Sequence, residues 1–109
     1  MAKILLVDSG AEDTKRLLPW LKLHGYSVTE YTDGADGLSR LDKKLADFDV
    51  VLVDMSRNRR EDWKMLDMLY TFRIASPISP AIICTSRAYR RRLRMEVKRR
   101  GGRLVIYGR

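Results

Sequence analysis

Three polar side chains each stand directly after a short apolar run, although the runs are far apart in the chain. Asp8, Asp54 and Thr85 follow the sequences ILLV, VVLV and AIIC. Two carboxylates and one hydroxyl offer a ligand only oxygen atoms, which are the donors that a hard cation such as Mg²⁺ takes. These residues form a site only if the fold gathers the ends of the three runs.

The remaining reactive residue types exclude several other kinds of chemistry. Cys84 is the single cysteine and His24 is the single histidine. An internal disulfide, a cysteine-cluster metal site and a paired-histidine zinc site are therefore excluded. No general base and nucleophile pair is recognisable, so we expect a protein that is not an enzyme. Cys84 is expected to be a buried apolar residue, and His24 to interact with a helix C-terminus.

The elements that must position the three residues follow from the apolar spacing. Short runs such as VVLV are typical of strands buried on both faces, as in parallel sheets. The pattern predicts strands near residues 4–7, 26–31, 50–53, 81–84 and 104–107. It predicts helices over residues 11–24, 34–46, 62–74 and 87–100.

Alternating strands and helices predict an α/β fold with a parallel sheet and right-handed crossovers. In such sheets, ligands bind in the crevice beyond the carboxyl ends of the strands. Asp8, Asp54 and Thr85 occupy those ends, so we expect the fold to bring them together.

Length and composition are those of one soluble domain. The 109 residues leave room for a single core, so residues 1–109 are expected to form one domain. No apolar run approaches the roughly 20 residues of a membrane helix, and the N-terminal residues lack the pattern of a signal peptide. We therefore expect a cytoplasmic location.

The sequence resembles the receiver domain of bacterial two-component response regulators. The resemblance is carried by residues 3–8, 24–26, 49–54 and 81–86, and it extends from residue 3 to residue 107. It implies a flavodoxin-like, doubly wound sheet of five parallel strands in the order 2-1-3-4-5. It also implies a stand-alone response-regulator receiver in phosphorelay signal transduction, acting through protein–protein interaction with a histidine kinase or another signalling protein.

The resemblance assigns a role to each of the three polar residues. Asp54 corresponds to the carboxylate that accepts a phosphoryl group from the partner's phosphohistidine. Asp8 and Asp54 correspond to ligands of Mg²⁺, and Thr85 corresponds to the hydroxyl that senses the phosphoryl oxygens. From the residues alone, Thr85 could equally cap the helix predicted over 87–100.

Several positions differ from the family pattern and indicate a degenerate receiver. Ser9 stands where a second acid is usual, which implies weaker Mg²⁺ binding. Gly108 stands in the place of a lysine, and Val105 in the place of an aromatic residue. No fifth helix is predicted, so part of one sheet face is expected to be uncovered and to favour a homodimer.

Positive charge is concentrated at the C-terminal end of the sequence. The net charge is +8, and residues 86–109 contain ten Lys or Arg and one acid, Glu96. Tyr89, Leu93 and Val97 form a narrow apolar stripe that would dock the helix predicted over 87–100 on the sheet. We take Arg90, Arg91, Arg94 and Lys98 as candidate partner-binding residues.

Two interpretations of this basic helix remain open. It is either a solvated face or a surface for an anionic partner: an acidic protein, nucleic acid or anionic lipid. The alternative function is therefore a phosphorylation-independent adaptor, or a nucleic-acid-binding protein, that acts through residues 87–100.

Overall fold

The computed structural model describes residues 2–7, 12–31, 44–56, 60–76 and 78–106, with side chains of the first helix from residue 16 onward. Residues 34–43 of the predicted second helix lie outside this part of the chain. Its last predicted residues fall in a 3-10 helix, Leu45–Asp47, rather than an α-helix.

All five described strands are parallel and form one sheet. They are β1 (Lys3–Val7), β2 (Ser27–Tyr31), β3 (Val50–Asp54), β4 (Ala81–Ser86) and β5 (Gly102–Ile106). Their order in the sheet is β2-β1-β3-β4-β5, which confirms the predicted topology. The three described α-helices are α1 (Glu12–Leu23), α2 (Arg60–Ala75) and α3 (Arg91–Arg99).

Alternation of side chains along the strands gives the sheet two faces, and helices pack against both faces. Leu5, Val51 and Ile82 point into a core that is closed by α2 and α3. Leu66 and Leu69 of α2 and Leu93 and Val97 of α3 belong to the same core. The intervening strand residues face α1, whose Leu21 is also buried.

The C-terminal basic segment is less helical than its composition predicts. α3 begins at Arg91 rather than at residue 87, and Arg90 is extended (φ −133°, ψ 123°). Tyr89 therefore lies outside the helix and is exposed, so its predicted place in the apolar stripe is wrong. Leu93 and Val97 do dock the helix, as predicted.

Gly101 ends α3 and turns the chain directly into β5. Its φ of +77° lies in the left-handed region, which glycine enters without the steric cost that a Cβ brings. β5 consequently begins at Gly102, two residues earlier than predicted. A Cβ at Gly102 would stand 3.0 Å from Cγ1 of Val97, so this close approach of helix and strand also favours glycine.

None of the helices in the described ranges is long and apolar enough to cross a membrane.

Candidate functional site

The pairing of β3 with β4 places Asp54 beside Thr85. The two residues are register partners at the carboxyl ends of their strands, and Oγ1 of Thr85 donates a hydrogen bond to Oδ1 of Asp54 across 3.4 Å. Asp54 is only 2% exposed. Two of the three predicted site residues therefore meet, as the topology requires.

Asp8 lies outside the described residues. Its neighbour Val7 is the register partner of Val53. The last described residue of β1 is thus level with the residue that precedes Asp54. The structure confirms that the three strand ends share one edge, and the position of the Asp8 side chain stays a prediction.

Ser56 connects the Asp54 carboxylate to the loop after β4. Its backbone N–H donates to Oδ1 of Asp54 across 3.0 Å, and its hydroxyl accepts a hydrogen bond from the backbone N–H of Arg87 across 3.1 Å. Burying a carboxylate requires such donors, because an unpaired buried charge is costly. Sequence analysis did not identify Ser56. Its position two residues after a strand-end aspartate is the spacing of an Asx turn and could have indicated it.

Thr85 does not cap α3. It lies within β4, five residues before the extended N-cap Arg90, and its hydroxyl faces Asp54 instead. The capping alternative is therefore wrong, and the Thr85 hydroxyl donates to the Asp54 carboxylate instead.

A cleft of about 580 Å³ opens beside this pair on the α1 side of the sheet. Asp54 and Thr85 form part of its wall, together with Arg16 of α1. Val105, the register partner of Thr85, also lines it and is 43% exposed. The remaining lining residues are apolar: Leu6, Leu17, Trp20, Leu21, Leu52 and Ile83.

The described residues do not by themselves form a metal centre. They contain no group of three or more His, Cys, Asp or Glu side chains that could hold an ion. Of the two predicted Mg²⁺ ligands, Asp54 is described, and its Oδ1 already accepts two hydrogen bonds. Asp8 and Ser9 fall outside the described ranges, so Mg²⁺ binding stays a prediction.

The candidate partner-binding residues form an exposed basic surface. Arg91, Arg94 and Lys98 project from α3, and Arg90 precedes it; all four are exposed. Met95 lies among them and is 60% exposed, an apolar side chain that was not predicted from the sequence as part of this surface. We call Arg90, Arg91, Arg94, Met95 and Lys98 the arginine surface.

Arg100 fixes α3 to α2 through a compact polar network. Its Nε lies 2.6 Å from Oδ1 of Asp67, and its Nη1 lies 2.8 Å from Oε2 of Glu96. The guanidinium carbon also stands 5.2 Å from the ring centroid of Trp63, a cation–π distance. Hydrogen bonds to Asp67 and Glu96 raise the pKa of Arg100, and the hydrogen bond from Arg100 lowers the pKa of Glu96.

The same network lines a second cleft, of about 620 Å³, between α2 and α3. Arg87, Arg90 and Arg92 line it as well. Among the described lining residues of this cleft, four are arginines and one, Glu96, is an acid.

Cys84 takes no part in the site. It is fully buried in the core, and this burial raises the pKa of its thiol to about 12. A protonated, enclosed thiol is a poor nucleophile, in agreement with the predicted packing role.

Comparison with known proteins shows what this arrangement resembles. No family model matches the sequence, and no curated protein matches it either. Solved structures do match over nearly the whole chain. The pseudo-receiver domain of the CikA protein has a TM-score of 0.71 at 18% identity, covering 100% of this chain and 87% of that chain.

Two further solved structures show the same likeness. Chemotaxis protein CheY4 of Vibrio cholerae has a TM-score of 0.73 at 23% identity, with coverage of 97% and 86% of the two chains. A two-component response regulator from Clostridium difficile has a TM-score of 0.70 at 14% identity, with coverage of 97% and 83%. The chain therefore has the flavodoxin-like fold of response-regulator receivers, which confirms the resemblance at the level of the fold.

Proposed function

We propose that this chain is a non-enzymatic signalling receiver that accepts a phosphoryl group on Asp54. The observation that supports this most directly is the pairing of a buried carboxylate with the Thr85 hydroxyl at the carboxyl edge of a receiver-type sheet. Such a pair supplies an oxygen nucleophile and a donor for the oxygen atoms of the transferred group.

In the proposed reaction, a carboxylate oxygen of Asp54 attacks the phosphorus of a phosphohistidine on a partner kinase. A new P–O bond forms, the P–N bond breaks, and the electron pair leaves with the imidazole, which takes up a proton. Thr85 donates to a phosphoryl oxygen of the product. Asp8 and Asp54 would hold Mg²⁺, which neutralises phosphoryl charge, and Ser9 in place of a second acid makes this binding weaker.

Acetyl phosphate tests this function without knowledge of the kinase. Incubation with acetyl phosphate and Mg²⁺ is expected to add one phosphoryl group to the intact protein, detected by mass spectrometry, with acetate as the leaving group. The matched variant Asp54→Asn has nearly the same size and no nucleophilic carboxylate, and it should add none. Equal labelling of the variant, or no labelling of the wild type, would contradict the proposal.

We further propose that the arginine surface is where this receiver contacts an acidic partner protein. Its cations are exposed, and they surround Met95, an apolar side chain that suits a protein interface better than a solvated face. A polyglutamate peptide, single-stranded DNA and phosphatidylserine vesicles distinguish the three anionic partner classes. The triple variant Arg91→Glu, Arg94→Glu and Lys98→Glu should no longer bind the polyglutamate peptide. Asp54→Asn should bind it with the affinity of the wild type.

A preference of the wild type for DNA or for vesicles over the peptide would instead favour nucleic acid or a membrane surface. Retained peptide binding in the triple variant would place the contact elsewhere.

A further inference from the structure

The cleft beside Asp54 has an unusual distribution of charge. Its wall is largely apolar, and Leu6, Leu52 and Ile83 form its floor on the sheet. Asp54 and Thr85 stand at one side. Among the described lining residues, a single side chain is cationic, and it is Arg16.

Arg16 lies in the part of α1 that passes over this cleft. It is exposed, and its neighbour Leu17 and, one turn further on, Trp20 line the same space. Within the described ranges, no carboxylate forms an ion pair with Arg16. Its side chain therefore lies exposed at the wall of the cleft that Asp54 also lines.

A phosphoryl group on Asp54 would require a compensating positive charge in the cleft beside it. Phosphorylation adds about 1.5 to 2 negative charges at neutral pH. Apolar walls strengthen any charge–charge interaction inside the cleft, and they also make an uncompensated charge costly. A guanidinium compensates the phosphoryl charge and gains from the stronger interaction, because its planar donors bind two oxygens of one phosphoryl group at once.

We infer that Arg16 of α1 is the residue that binds the phosphoryl oxygens of phosphorylated Asp54 and supplies their counter-charge. This inference rests on the proposed function of Asp54 and adds a residue to it. The fold supplies the cation from the first helix, across the open cleft.

The test compares three variants for Asp54 labelling by acetyl phosphate and for binding of beryllofluoride, a phosphoryl analogue, by NMR titration. Arg16→Gln removes the charge, and Arg16→Lys keeps it without the planar donors. Lys22→Gln is the matched control, because it removes one exposed cation from the same helix and lies outside the cleft lining. Thermal unfolding of each variant verifies that the fold is retained.

We expect Arg16→Gln to lower the labelling rate and the beryllofluoride affinity about tenfold, the effect of losing one charge-assisted hydrogen bond. Arg16→Lys should fall between Arg16→Gln and the wild type, and Lys22→Gln should equal the wild type. If the wild type is labelled and Arg16→Gln is labelled equally fast, the inference is wrong and the function of Asp54 stands. If the wild type takes neither a phosphoryl group nor the analogue, both fail together.

Discussion

Asp54 accepts hydrogen bonds of unequal length from Ser56 and Thr85, and the proposed phosphorylation would change these two contacts differently. The Ser56 N–H is close, at 3.0 Å, whereas the Thr85 hydroxyl is at 3.4 Å, near the limit of a hydrogen bond. The Ser56 contact therefore supports the unmodified carboxylate. The Thr85 hydroxyl contributes little to that state, and in the proposed phosphorylated state it would donate to a phosphoryl oxygen.

Substitution of Thr85 by valine tests this division. Thr85→Val keeps the shape and removes the hydroxyl, so we expect the free energy of unfolding to fall by less than about 1 kcal/mol, because Asp54 keeps its Ser56 donor. Beryllofluoride affinity should fall about tenfold, since a contact to a charged group is lost. The control Thr71→Val removes a hydroxyl that bonds the backbone of Asp67 in α2. Equal losses of affinity in the two variants would show that Thr85 has no specific role.

Cys84 offers a second prediction at the scale of one residue. Burial raises the pKa of its thiol to about 12, so at mildly alkaline pH the native protein contains almost no thiolate. We expect a disulfide reagent such as DTNB to react with the folded protein only as fast as the core opens, and rapidly once denaturant is added. Fast labelling of the native state would show that β4 is more accessible than the structure indicates.

At the scale of the elements, α3 illustrates how tertiary contacts override a helical sequence. The hydroxyl of Ser86 donates to the carbonyl of Ala88, and the N–H of Arg87 donates to the hydroxyl of Ser56. Side-chain contacts of this kind satisfy backbone groups without a helix and so compete with helix formation. The first turn predicted from the sequence is therefore not helical, and the helix begins only at Arg91.

The stability of the fold should depend on pH through Glu96 of α3, which holds Arg100 at the end of the helix. The hydrogen bond from Arg100 lowers the pKa of Glu96 in the folded protein, so this carboxylate stabilises the fold above its ordinary pKa. That contribution disappears as the pH falls through the lowered value. We expect Glu96→Gln to unfold more easily than the wild type at neutral pH, and the two to converge in acid.

Denaturant titrations at a series of pH values measure this convergence. Glu30→Gln, at an exposed position of β2, is the matched control, because it removes one carboxylate outside the network of Arg100. A constant difference between Glu96→Gln and the wild type across the acid range would contradict the assigned role of the ion pair.

At the scale of the whole molecule, charge and fold are arranged independently of one another. The candidate phosphoryl site lies at the carboxyl edge of the sheet, while most of the excess positive charge follows residue 86. A charge block of this kind governs encounter with partners rather than the fold. The proposed phosphoryl acceptor and the arginine surface are therefore separate groups of residues, although Arg87 adjoins Asp54 through its hydrogen bond to Ser56.

The exposure of the arginine surface predicts a strong effect of salt on partner binding. Affinity of the wild type for a polyglutamate peptide should decrease steeply as salt is raised, because screening shortens the reach of exposed charges to about 3 Å at 1 M. Isothermal titration at several salt concentrations measures the dependence. An affinity that does not change with salt would mean that Met95 and other apolar contacts provide the binding free energy, and that the arginines stay solvated.

The sequence alone predicted the features that depend on the order of the strands in the sheet. Apolar runs fix which strands are buried, and burial on both faces requires parallel neighbours; the meeting of Asp54 and Thr85 follows from that arrangement. Ser56 is a local signal, the Asx-turn spacing after Asp54, that apolar runs do not carry. Arg16 could not be found from the sequence, because its place beside the cleft depends on the path of α1 over the sheet, which is set by packing between elements distant in sequence.

The two tryptophans give this protein a built-in optical reporter on each side of the sheet. Trp20 lines the cleft beside Asp54, whereas Trp63 packs against the opposite core and under Arg100. Fluorescence of a Trp63→Phe protein would thus follow events at the cleft, and that of a Trp20→Phe protein would follow α2 and α3. Emission spectra of these two variants would show whether binding at one face of the sheet changes the environment of the tryptophan on the other face.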